Sequence, residues 1–266
     1  MDLGLKDKVV VVSGAAGKEG SIGETMVRML ADEGAIPVLL DCNERGYIYA
    51  EKFKEKGVDA LFCKVDVTNP VQIEAAVATI VQKYGRVDVI INNVGVNDGV
   101  GLNATFEEFM ESLKLNLASY FLLTKYTLPY LKKSKGVILN IGSKVALTGQ
   151  GGTSGYAAAK GGVLALTREW AVDLIEYGIR SNAIIIAESF TPAYREWLET
   201  LPNGDDVLVK INKSIPFESR MTRPEEIVNT ALFLISHLSS HTTGQFVFVD
   251  GGYTHLDRAL INNKNI

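Results

Sequence analysis

The chain has 266 residues, of which 47% are hydrophobic, and its 31 acidic and 27 basic side chains leave a net charge of −4. This composition excludes a largely disordered state and argues against nucleic acid as a partner, because phosphate backbones require a positive face. Two cysteines, Cys42 and Cys63, are too few for a disulfide framework or a tetrahedral metal site, so no metal is expected and both read as buried thiols of a reduced, cytoplasmic protein. The opening MDLGLKDK lacks the basic and apolar regions of an export signal, and no apolar run approaches the ~18 residues of a membrane span.

In chain order, short β-branched runs at residues 8–13, 36–41, 60–65, 87–92, 136–141, 181–186 and 245–250 predict seven strands, most of them apolar on both faces. Helical periods fill the gaps, over 22–33, 69–84, 106–133, 153–177 and 224–236. Asn69-Pro70 and Arg223-Pro224 mark two helix starts. Strand alternating with helix predicts an α/β doubly wound Rossmann-type fold, with a single seven-stranded parallel sheet and helices on both faces. One domain is expected over 1–266. The rhythm breaks at about 187–222, where no strand pattern occurs and prolines gather, so this segment is expected to be an irregular substrate loop. The tail, 253–266, is expected to fray at its end.

Chemistry-bearing residues sit at particular points of this pattern. Ser13-Gly-Ala-Ala-Gly-Lys-Glu-Gly-Ser-Ile-Gly23 follows the first strand and opens the first helix. Gly14, Gly17 and Gly23, with Ser21 and Ile22, would let a pyrophosphate approach the backbone and rest on the helix N-terminus. Asp41 ends the second strand, where an acid accepts hydrogen bonds from the adenosine ribose of NAD and repels the 2′-phosphate of NADP. Lys18 and Arg45 could soften that repulsion, and Asp41 could instead cap a helix. Tyr156 and Lys160 stand one helical turn apart, Ser143 follows the fifth strand, and Asn116 lies within the 106–133 helix.

These pieces, with Asp66-Val67 after the third strand and Asn92-Asn93-Val94-Gly95 after the fourth, make the sequence resemble the short-chain dehydrogenase/reductase family over essentially its full length. The resemblance implies a catalytic tetrad of Asn116, Ser143, Tyr156 and Lys160. Tyr156 would be the base, poised by Lys160, while Ser143 would hold the substrate oxygen and Asn116 a relay water. A phenol must shift by ~3 units from its ordinary pKa to act near neutrality. The resemblance also brings Asp66, Val67, Asn93, Gly95, Tyr156, Lys160, Ser189 and Thr191 to the cofactor. Within the family, Phe248–Leu260 together with Ala187-Glu188 and Thr191-Pro192-Ala193-Tyr194 resembles the sugar-dehydrogenase branch typified by L-fucose dehydrogenases, which oxidise an aldose to a lactone. A polyol needs fixed hydrogen-bonding groups and an apolar wall, which Gln150, Glu188, Tyr194 and Trp197 could supply beside Ser143 and Tyr156, each having a solvated or packing role as its alternative.

The pattern departs from the family at three points. The glycine turn is three residues longer than usual and has Ser21 at the middle glycine, Ile186-Ala187 replaces Pro-Gly, and Ser189 replaces a small apolar residue. The alternatives are an NADPH-dependent reductase of 3-oxoacyl thioesters or small ketones, and a non-catalytic nucleotide-binding regulator. A sugar-nucleotide epimerase is not expected, because the sequence shows no pattern of the extra C-terminal substrate domain such family members carry. The resemblance further implies a homotetramer, for which Leu117, Phe121, Leu122, Leu164, Trp170 and Leu174 could form the apolar faces, core burial within one subunit being the alternative for some of them.

Overall fold

Four consecutive valines, Val9 to Val12, set the frame: Val9 and Val11 enter one hydrophobic core and Val10 and Val12 the other, so the first strand is buried on both sides. The computed structural model describes residues 2–257. Its strands are β1 (Val9–Ser13), β2 (Ile36–Asp41), β3 (Leu61–Lys64), β4 (Val89–Asn92), β5 (Val137–Ser143), β6 (Arg180–Ile186) and β7 (Phe246–Val249). They form one parallel sheet in the order β3-β2-β1-β4-β5-β6-β7, as the apolar runs predict.

Helices α1 (Ile22–Asp32), α2 (Arg45–Glu55), α3 (Pro70–Tyr84), α4 (Phe106–Leu113), α5 (Ser119–Ser134), α6 (Val145–Thr148) and α7 (Ser154–Asp173) connect the first six strands. The remaining helices are α8 (Pro192–Glu199), α9 (Gly204–Lys213) and α10 (Pro224–Ile235). Met26 and Leu30 of α1 pack with Ile227 and Ala231 of α10 on one face of the sheet. Ile73 and Ile80 of α3, Tyr120 and Leu123 of α5, and Val163 and Trp170 of α7 cover the other. Strand order reverses between β1 and β4, and a doubly wound sheet holds its ligand at that switch point, beyond the strand C-termini. Asn93 closes the split on the inside, its Nδ2 donating to the carbonyls of Ser13 and Gly14, both at 3.0 Å.

Several expectations are corrected. The helix read over 106–133 is interrupted: α4 stops at Leu113, and a π-helical turn, Lys114–Ala118, precedes α5. Residues 187–222 are not mainly irregular, because they contain α8, opened by Thr191 accepting from the Tyr194 amide and by Pro192 in the first turn, and α9. Both helices are short and largely exposed, which leaves little apolar periodicity to read. Cys42 is exposed and Cys63 half-buried; both are free, and burial pushes the Cys63 thiol up to about 11. Leu164, Trp170 and Leu174 pack inside the subunit, whereas Phe121 is exposed and Leu117 and Leu122 are half-buried. No helix among the described residues is long and apolar enough to cross a membrane. The end of the tail expected to fray lies outside the described residues.

Candidate active site

The glycine turn is shaped by close approach. A Cβ on Gly23 would sit 2.0 Å from the Gly14 carbonyl oxygen, and one on Gly17 would sit 2.4 Å from Ser21 Oγ. Ser21 caps α1 by accepting from the Glu24 amide, and the amides of Ile22 and Gly23 have no protein partner among the described residues. This leaves an open helix N-terminus facing the switch-point crevice, the arrangement that suits a phosphate. The three-residue lengthening does not spoil it. Glu24 accepts from the Gly20 amide at 3.0 Å, and the Tyr49 hydroxyl donates to the Gly17 carbonyl at 2.8 Å.

Asp41 caps no helix, since α2 starts at Arg45. One carboxylate oxygen accepts from the Ala16 amide at 2.8 Å and the other from the Asn43 amide at 2.9 Å. The acid is thereby tied to the nucleotide turn, with lone pairs left for a diol. Lys18 does not reach Asp41. It forms an ion pair with Glu196 on α8, and Arg45 Nε donates to the Ala16 carbonyl at 3.1 Å. Asp66 is exposed and holds the backbone and hydroxyl of Thr68, while Val67 is buried beside it at the end of β3.

The tetrad residues converge from separate elements. Asn116 lies in the wide π turn; its Nδ2 donates to the carbonyls of Val96 (3.0 Å) and Ser112 (3.1 Å), and its Oδ1 accepts from the Val96 amide at 2.8 Å. π-Turns inside helices often mark functional sites. The expected relay water cannot depend on both donors of this side chain, because they are already given to the backbone. Gly95 lies in the gap between two of these residues: its Cβ would be 3.2 Å from both Asn116 Oδ1 and Lys160 Nζ.

Lys160 Nζ stands 5.6 Å from the centre of the Tyr156 ring, on the same face of α7. Its hydrogen bonds go elsewhere, to the Ile141 carbonyl (2.8 Å) and the Tyr120 hydroxyl (2.9 Å). Burial lowers its pKa to about 7. Tyr156 is pushed up to about 12 by burial, with the Ser143 hydrogen bond pulling down and Asp98 pushing up. The expected lowering of the phenol by Lys160 does not accompany this geometry: the downward pull on Tyr156 comes from Ser143, and the Lys160 hydrogen bonds go to neutral oxygens.

Beside Ser143, the structure gathers a group that sequence reasoning found only in part. Glu188, just past β6, forms an ion pair with Lys144 through one oxygen and accepts from the Tyr194 hydroxyl at 2.8 Å through the other. Lys144 lies over the Tyr253 ring, 4.1 Å from its centre, and Tyr194 meets Trp197 edge to face at 5.2 Å. Both charged side chains are largely buried, 9% and 16% exposed. Burial and the adjacent Glu188 drive the Tyr194 phenol far up. Gln150 is exposed in the loop before α7 and has no part in this group. Ser189 is buried with its hydroxyl on the Thr222 carbonyl, and Thr191 caps α8. Lys144 and Tyr120 were missed. The only signal for Lys144 was a charge directly after an apolar strand and Ser143; Tyr120 looked like any core aromatic.

The family profile described as "Enoyl-(Acyl carrier protein) reductase" matches residues 14–254. The L-fucose dehydrogenase of Oryctolagus cuniculus is 35% identical over 247 residues, 92% of this chain and 84% of that protein. The 3-oxoacyl-[acyl-carrier-protein] reductase FabG of Thermotoga maritima is 34% identical over 255 residues, 93% of this chain and 98% of its own. Among solved structures, the Cj0485 dehydrogenase superposes with a TM-score of 0.93 at 42% identity, covering 98% of this chain and 99% of that one.

Proposed function

Because this chain belongs to the short-chain dehydrogenase/reductase family, and is thus an oxidoreductase, we propose that it is an NAD-dependent sugar dehydrogenase that oxidises an aldose such as L-fucose to its lactone. Identity does not choose the substrate, since a sugar dehydrogenase and an acyl reductase match almost equally well. The observation that carries the reading is the Lys144–Glu188–Tyr194 group beside Ser143. Its charges cancel, so it suits a neutral ligand. Each carboxylate oxygen keeps a lone pair for a hydroxyl, and aromatic rings flank the charges as they would the apolar face of a sugar. A buried ion pair contributes little to stability on average, because desolvation offsets the attraction. A role in recognition accounts for its position.

The residues present fit a nicotinamide dinucleotide: the free amides of Ile22 and Gly23 for the pyrophosphate, Asp41 for a ribose diol, and Asp66 and Val67 at the adenine end. When bound, the nicotinamide supplies the hydride acceptor. Tyr156 then takes the hydroxyl proton, Ser143 orients the same oxygen, and Lys160 supplies the charge that favours phenolate. Asn116 pins the Val96 segment against Gly95 and so fixes the wall of the pocket. Asp41, with Lys18 drawn off to Glu196, favours NAD over NADP. A homotetramer in the cytoplasm belongs to the same reading, supported by Phe121 exposed on α5 and Val172 on α7.

The deciding experiment is an absorbance assay of aldoses, polyols and simple alcohols with NAD⁺ and NADP⁺, beside ketones and a 3-oxoacyl thioester with NADPH. Aldose oxidation with NAD⁺ is expected. Activity confined to the NADPH arm would replace this reading with the reductase, and no turnover in any arm would leave a nucleotide-binding regulator.

A further inference from the structure

Among the described residues Tyr120 is the largest fully buried side chain, and the tetrad does not include it. It sits on α5 one turn after Asn116, on the wall that Lys160 faces. Its hydroxyl lies 3.0 Å from the Val94 carbonyl and 3.1 Å from the Ile141 carbonyl. A phenol has one hydrogen to give, so these carbonyls consume it and the oxygen lone pairs are left facing Lys160, 2.9 Å away. The Ile141 carbonyl accepts from the same ammonium at 2.8 Å. Val94 follows β4 and Ile141 lies in β5, so Tyr120 ties these two neighbouring strands to the one cation of the tetrad.

We propose that Tyr120 is a positioning residue, whose hydroxyl together with the Ile141 carbonyl fixes the Lys160 ammonium in place beside Tyr156. The titratable groups around Lys160 are few. Tyr120 faces it from α5, Tyr156 shares its own helix, and Asp98, in the loop after β4, acts on Tyr156. The ammonium is therefore held by neutral oxygens, and a phenol at full proton occupancy waits beside it. This rests on the roles assigned above to Tyr156 and Lys160, but its test does not need turnover.

The test is Tyr120→Phe in the nucleotide-free protein, with the Lys160 side chain followed by carbon-13 NMR of labelled lysine and assigned by its loss in Lys160→Met. Loss of one acceptor from a buried ammonium should lower the Lys160 midpoint by about one pH unit relative to wild type. The melting temperature should stay close to wild type, because phenylalanine fills the same space. An unchanged midpoint overturns the proposal, as does a wild-type Lys160 that titrates like free lysine. A Tyr120→Phe chain that does not fold would make Tyr120 a structural residue, and overturns it too. If the midpoint shifts as expected while Tyr156→Phe still turns substrate over, the catalytic reading fails and the positioning of Lys160 by Tyr120 survives.

Discussion

Lys18 of the glycine-rich turn and Glu196 of α8 form an ion pair, so the segment that lengthens the turn touches the helical segment that follows β6. Gly20 reinforces the approach, since its Cβ position lies 3.9 Å from Pro192 Cγ. Both charges are half exposed, and such pairs contribute only about 0–1 kcal/mol. Lys18→Ala or Glu196→Gln is therefore expected to weaken nucleotide affinity by no more than about fivefold, with the difference vanishing at high salt. Titration of nucleotide fluorescence at low and high ionic strength checks this. A salt-independent loss would mean that the pair acts through packing.

Tyr156→Phe removes the hydroxyl to which the proposed mechanism assigns the substrate proton, while keeping the ring. Turnover is expected to fall by at least about 100-fold, the scale of general base catalysis, with nucleotide affinity nearly unchanged. Appreciable residual oxidation would take Tyr156 out of that role.

Gly95→Ala places a methyl between Asn116 Oδ1 and Lys160 Nζ, at 3.2 Å from each. That spacing is too tight to accept without movement, and both neighbours are buried and hydrogen-bonded. The variant is expected to lose most of its turnover while its melting temperature drops by only a few degrees, since ordinary overpacking costs about 1–3 kcal/mol. Normal kinetics would show that the Asn116–Lys160 spacing does not matter.

The burial of Lys160 gives stability a pH dependence. Its amine titrates near 10.5 when unfolded and near 7 in the native chain, so between those values the unfolded state binds the extra proton. Raising the pH from 7 to 10 should then stabilise the nucleotide-free protein through this group. Tyr156 acts in the other direction only above about 10, where the unfolded phenol ionises and the native one does not. Lys160→Met should accordingly raise the melting temperature most at pH 7 and hardly at all at pH 10. A gain that is equal at both would place Lys160 in contact with water.

Much of this was legible in the sequence. The valine and isoleucine runs of β1, β4, β5 and β6 need no tertiary information, because a strand covered on both faces has to be apolar throughout. The glycine turn and the Tyr156–Lys160 spacing are local as well. What was hidden depends on residues far apart in sequence. The Lys144–Glu188 pair spans 44 positions and the Lys160–Tyr120 contact 40, and neither leaves a periodic trace. The wide turn at Lys114–Ala118 was hidden because residues on both sides of it keep a helical rhythm, so a continuous reading over 106–133 looked sufficient.

That turn has a consequence for how the chain can tolerate change. It stores one surplus residue, and each residue of a regular helix advances the winding by ~100°. Removing Lys114, Leu115, Leu117 or Ala118 would let the backbone knit into an uninterrupted helical ladder. Yet α4 would be rotated against α5, and Asn116 would lose its aim at Val96. A deletion here would thus act on the site through the winding of the backbone, with every side chain that faces the pocket still encoded.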